Sequence, residues 1–221
     1  MSSNIAIGMY SGTPRNPWSY QKVEQVSRDI QTSWLTLDEI TQQLNLFNDE
    51  SQDTYLSSIE LATRMAIEDY LGMSIFPIQY KAYYGAVNNA MGMQTALDLP
   101  EVSQDYKSYC GTVINSVSYW NNDQPPVLIE IAHTEYFYDP TGNKVIINAV
   151  PNNINTVMTN PLVVLYTANA NPLAQYPVIK QAALLLLTHL YNNRSNSSQV
   201  YLNEIPFGVA QLLRPYKPLV M

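Results

Sequence analysis

A single cysteine, Cys110, excludes an intrachain disulfide and fits a reducing compartment better than a covalently stapled secreted module. Histidine is nearly as scarce. The two present, His133 and His189, have no second His, no Cys and no carboxylate at metal-ligand spacing. A glycine-rich phosphate loop, a GxSxG elbow and an HExxH helix are all missing. A nucleophile pair of Cys110 and His133 has no local support in the sequence. No catalytic residue, cofactor or metal ligand is therefore assigned, and the chain is not read as an enzyme. Charge is also sparse, 13% of residues against about 25% in an ordinary soluble chain. The longest apolar run, Ala182 to Leu187, falls far short of the about 20 residues a membrane span needs. The start, MSSNIAIGMYSG, has no basic region followed by an apolar run, so no signal peptide is expected.

What is present is apolar and neutral-polar material: 46% hydrophobic residues with 17 tyrosines, in a chain of 221 residues. A chain of this length buries roughly 70% of its unfolded surface, enough for a core without staples. A weakly charged, Tyr-rich surface suits close contact with other subunits, although a biased ordinary surface would look the same. The net charge of −7 and pI of about 4.7 oppose a free-standing nucleic-acid binder.

Residues 1–33 read as a polar N-terminal arm, with a helix expected from Tyr20 to about Ile30 because Val23, Val26 and Ile30 fall at helical spacing. Residues 34–75 read as a helical hairpin. Thr36 and Glu39 form a capping box, Leu37, Ile40 and Leu44 share a face, and Gly72 ends the second helix. That second helix carries Leu56, Ile59, Thr63, Ala66, Ile67 and Tyr70 on one stripe. Across residues 76–168 the period becomes two. Strands are expected at Ile78–Tyr84, Val113–Tyr119, Val127–Ile131, Glu135–Tyr138, Lys144–Ile147 and Leu162–Tyr166. Residues 139–143 are a hairpin turn in which Gly142 supplies the positive φ. Pro177 opens a third helix, within a segment 169–198 that completes the bundle. Residues 199–221 allow one short helix before Pro215. The fold class is α+β: a small bundle of at least three helices with an antiparallel β-rich insertion. Leu37, Leu44, Ile59, Ala66, Leu185 and Leu186 are expected to share its helical core.

The hairpin concentrates charge: Asp38, Glu39, Asp49, Glu50, Asp53, Glu60, Glu68 and Asp69 against Arg64 alone. These acids are read as exposed, either as ordinary solvated faces or as a surface that meets a neighbour.

Three stretches, in order, resemble the head–tail connector family of tailed bacteriophages, also called adaptor or head-completion proteins. The first is Leu35-Thr-Leu-Asp-Glu-Ile40 with Ala66-Ile-Glu-Asp-Tyr70-Leu-Gly72. The second is Leu97-Asp-Leu-Pro100, Val113–Tyr119 and Tyr138-Asp139 to Lys144-Val-Ile. The third, the most specific, is Val164-Leu-Tyr166-Thr-Ala168, Pro177-x-Ile179-Lys180-Gln181-Ala182, Tyr191-x-Asn193-Arg194 and Ile205-Pro-Phe-Gly-Val209 to Leu212-Leu213-x-Pro215-Tyr216. The likeness spans roughly residues 34–217, and residues 1–33 depart from it. The resemblance implies a structural ring subunit of the virion, usually one of twelve, assembled in the host cytoplasm. The ring sits below the portal, extends the channel for double-stranded DNA without binding it specifically, and gives tail proteins a platform. No membrane is involved. Under this reading the acids line the channel or a subunit interface. The C-terminal segment then docks on the portal through Phe207, Leu212, Leu213 and Tyr216, with Arg214 and Lys217 meeting acidic groups. Folding of that segment onto its own helices is the other reading. A carbohydrate- or receptor-binding module of a virion is the alternative function, carried by the Tyr- and Asn-rich β region.

Overall fold

The computed structural model describes residues 21–46, 50–72, 74–85, 91–100, 111–170, 176–193 and 207–217. Eight strands and four helices follow in the order β1 (Lys22–Arg28), α1 (Leu37–Leu44), α2 (Asp53–Leu71), β2 (Ile78–Tyr84), β3 (Thr95–Asp98), β4 (Thr112–Trp120), β5 (Leu128–Glu130), β6 (Tyr136–Asp139), β7 (Lys144–Ile147), β8 (Leu162–Ala168), α3 (Pro177–Asn192) and α4 (Phe207–Leu213) among the described residues. The fold is α+β. The chain divides into a β unit, with strands drawn from residues 21–28 and 77–169, and a helical unit from residues 29–76 and 176–217.

The β unit has a five-stranded sheet, ordered β1-β2-β8-β4-β5, and a three-stranded sheet, ordered β3-β7-β6. All named strand pairs are antiparallel. Strict alternation builds β2: Ile78, Tyr80, Ala82 and Tyr84 are buried, while Gln79, Lys81 and Tyr83 are half-buried. They share one core with Val117, Val164 and Tyr166 of the same sheet and with Leu97, Val145 and Ile147 of the smaller one. Burying each such Ile or Leu contributes about 1.5–3 kcal/mol. The Tyr84 hydroxyl donates to the Asp98 carbonyl at 2.7 Å, so its polar tip is satisfied inside that core. At the 139–143 turn the positive φ belongs to Asn143 (52°) and not, as expected, to Gly142. Asparagine tolerates the left-handed region, and here its side chain is further held by the Tyr138 hydroxyl at 3.0 Å.

The N-terminal helix expected from Tyr20 to Ile30 does not form in the described part. Residues 22–28 are β1, hydrogen-bonded to β2 with a bulge between Gln25 and Ser27. The spacing of Val23 and Val26 that imitates a helix arises because this strand leaves both faces largely open, so nothing imposes an alternation on it.

In the helical unit the capping box forms as the sequence predicts. The Thr36 hydroxyl accepts the Glu39 N–H at 3.2 Å, and Glu39 accepts the Thr36 N–H at 2.9 Å. Gly72 closes α2 at φ 62°, donating its N–H to the Glu68 carbonyl at 2.8 Å. Leu56, Ile59 and Ile67 of α2 pack with Ile40 of α1, Ile179, Ala182, Ala183, Leu186 and Leu187 of α3, and Val209 and Leu213 of α4. Leu44 and Ala66 pack against this cluster. Leu37 and Leu185, expected in the core, are each 38% exposed. Both occupy helix positions turned away from the shared stripe, and six consecutive apolar residues cannot all face inward on one helix.

Candidate functional site

The acids of the hairpin separate into two groups by their place around the helix. Asp38, Glu50 and Asp69 are exposed, and Asp53 and Glu39 are half-buried. Asp49 lies outside the described residues. Glu39 meets Lys180 of α3, Oε1 to Nζ 3.2 Å. The Thr36 N–H above all, and then Lys180, hold its carboxyl below the usual carboxylate range against the opposing effect of burial.

Glu60 and Glu68 correct the sequence reading. They are only 3% and 4% exposed and cannot line a channel or meet a solvent-side partner. With Thr63 and Arg64 they share the inward stripe of Leu56, Ile59, Ile67 and Leu71. Each is satisfied by irregular backbone. One oxygen of Glu60 accepts the N–H groups of Trp34 and Leu35 at 2.9 and 3.1 Å, and Glu68 accepts that of Ile75 at 2.8 Å. Between them, Arg64 donates to the carbonyls of Thr32 and Asp29 and lies 4.8 Å from the centre of the Phe76 ring. Three ionisable groups, four residues apart, thus act as backbone pins. Their spacing carried that signal: positions 60, 64 and 68 fall on the same helical stripe as the apolar residues.

Of the C-terminal segment, α4 packs on α3 and buries Val209 and Leu213, the latter with no exposed surface. Leu213 therefore belongs to the chain's own core and is not a free anchor. Leu212 and Tyr216 are half-buried against the same cluster, and Tyr216 lies 5.8 Å from the ring of Tyr176. Arg214 and Lys217 are exposed, with the Lys217 ammonium 5.0 Å from the centre of the Tyr70 ring. Phe207 opens α4.

Neither histidine is brought into a polar constellation. His133 sits in a short 3-10 turn before β6, not in a strand, with the Tyr136 hydroxyl 2.5 Å from its Nδ1. Burial and then the charge of Glu130 push the Tyr136 phenol up. His189 lies on α3 beside the Asn193 amide, 3.3 Å away. Cys110 lies outside the described residues. Among the described residues no group of three or more His, Cys, Asp or Glu is placed to hold a metal ion, and no helix is long and apolar enough to cross a membrane. Among the described residues the larger exposed aromatics are Tyr55 of α2, Phe137 of β6 and Tyr176 just before α3, which are far apart in the chain.

The architecture has counterparts among solved structures. A chain in the neck of an empty gene transfer agent particle, computed with C6 symmetry, aligns over 91% of this chain and 97% of its own with a TM-score of 0.59. The chain shares the fold of that neck protein. A chain of the native gene transfer agent virion and one from the native neck computed with C12 symmetry each align over the same shares with a TM-score of 0.55. Sequence identity is 18% in all three cases. No protein-family model and no curated protein matches the sequence.

Proposed function

We propose that this chain is a structural subunit of the neck of a tailed phage-like particle, an adaptor whose copies form a ring below the portal. The observation that carries the reading is the shared fold, which extends over 97% of a neck chain's length and so includes both the helical and the β parts. The ring, which we take as twelve copies, extends the DNA channel and receives the tail proteins. Asp38, Glu50, Asp53 and Asp69 are the acids that suit such a wall, because a polyanion slides past a surface that offers no cations to replace its counterions. Arg214 and Lys217, exposed after α4, are the charges that suit an acidic portal surface, with Leu212 and Tyr216 in support. The low charge of the body as a whole suits lateral packing.

The direct test is a reconstruction of the neck of the particle that carries this protein. Density for a closed ring of this chain between portal and tail is expected, and finding the chain elsewhere or as isolated copies overturns the reading. The channel assignment has its own test. Reversing Asp38, Glu50, Asp53 and Asp69 to Lys should make the ring hold double-stranded DNA at low salt and release it as salt rises. No gain of DNA affinity at low salt would place these acids away from the channel.

A further inference from the structure

The five-stranded sheet ends in two unlike edges. At one end, among the described residues, β1 pairs with β2 alone, and five of its seven residues are exposed. Val23 and Val26 are 37% and 51% exposed, and no proline interrupts the strand. A strand so open is held by little beyond its single ladder, and its outer row of N–H and C=O groups is a template for another strand. At the other end the sheet is stepped. β5 and the Ile131 N–H, bonded to the Val117 carbonyl at 2.7 Å, cover Val117–Trp120 of β4, and among the described residues no strand pairs with Val113–Ser116 on that side. Val113 and Leu128 are each 42% exposed along this step.

We infer that β1 of one copy of this chain adds to the stepped edge of the next copy, alongside Val113–Ser116 of β4, and so joins the sheets of neighbouring copies. The inference rests on the ring reading and names the contact that builds the ring. Three observations select a second copy as the occupant. The first is charge: β1 carries Lys22 and Arg28 against Glu24, whereas Glu130, opposite Ser118 at the step, is exposed and the sequence has no Lys or Arg from Gly111 to Asn143. The second is length, since the seven residues of β1 more than span the stretch of β4 from Val113 to Ser116. The third is direction. Three antiparallel steps separate β1 from β4, so β1 of a copy turned about an axis near the strand direction arrives antiparallel to β4. Two different edges meeting head to tail form a heterologous contact, the kind that closes into rings. An antiparallel register with Gln25 opposite Ile114 brings Val26 beside Val113, with the bulge at Val26 of β1 near the bulge between Ile114 and Ser116 of β4.

The test uses the full chain with Cys110→Ser, Val26→Cys and Val113→Cys, in concentrated solution and in assembled particles. Mild oxidation should give a ladder of covalent multimers rising to the closed ring, while either cysteine alone gives none beyond a dimer. In a second variant Val23 and Val26 are both changed to Lys. Both valines are exposed in the single chain, so its melting should be unchanged while native mass spectrometry shows the ring lost. A ring that persists in the lysine variant, or that yields no multimers on oxidation, overturns this contact and leaves the ring reading standing. A chain that stays single in solution and in particles overturns both.

Discussion

Glu60 and Trp34 stand 26 residues apart in the chain, yet the Glu60 carboxylate accepts the Trp34 N–H at 2.9 Å inside the helical unit. The same oxygen takes the Leu35 N–H, so one side chain satisfies two buried donors. Glu60→Ala removes both acceptors, and leaving buried donors unpaired costs about 1–3 kcal/mol each. The expected outcome is a marked fall in the urea midpoint, with Glu60→Gln less harmful because its amide oxygen still accepts. An unchanged midpoint for Glu60→Ala would mean that the pin contributes nothing.

The exposed and buried leucines of α3 give a paired test. Leu185→Asp should leave soluble expression and stability nearly unchanged in the single chain, within about 0.5 kcal/mol, as surface substitutions do. Its neighbour Leu186 is 4% exposed, and Leu186→Ala should cost about 2–5 kcal/mol. Chemical denaturation of the two variants checks the difference, and equal losses would contradict the orientation of α3.

Two carboxylates make the fold sensitive to acid. The Thr32 hydroxyl first, and then the N–H groups of Thr32 and Gln31, lower the Asp29 carboxyl from its ordinary 3.8 to about 2. Glu39 is held low by the capping box and Lys180. Because both folded values lie below the unfolded ones, their contribution is complete above the ordinary carboxylate range and is lost as pH falls towards the folded values. Melting temperatures should drop on acidification, reaching about pH 2 for Asp29. Asp29→Asn should flatten the acid limb of that profile, and an unaltered limb would remove Asp29 from the account.

Truncation after Ile205 is not expected to be silent, nor is a smaller change within α4. Leu213→Ala should cost about 2–5 kcal/mol, because the leucine is fully buried among α2 and α3 residues. Arg214→Ala and Lys217→Ala should leave melting unchanged while weakening attachment to portal-bearing heads. Attachment at full strength in that double variant would remove the charged turn from the docking surface.

Much of this was legible in the sequence where the cause is local. The Thr36–Glu39 box, the Gly72 stop and the bounds of β2 and β7 follow from contacts within a few residues or from strict alternation against a core. β1 was not legible because an edge strand with two open faces has no periodicity to read. Glu60 and Glu68 were half legible: their place on the apolar stripe pointed inward, but nothing local showed what would satisfy them there. Their charge argues for solvent, and only the backbone donors of Trp34, Leu35 and Ile75, brought in by tertiary structure, offset the cost of burial. Leu185 and Leu213 exchanged expected roles because apolar character alone does not say which side of a helix meets its neighbours.

The pins on α2 also set how the molecule breathes. Trp34, Leu35 and Ile75 lie in irregular backbone, where amide hydrogens ordinarily exchange with solvent through small local fluctuations. Here their N–H groups are bonded to side chains of α2, so they are released only when that helix itself loosens. In deuterium oxide these three amides should therefore exchange as slowly as the interior of α2 and at a common rate. Residues 34–35, ahead of α1, and Ile75, after α2, are then expected to open together with α2.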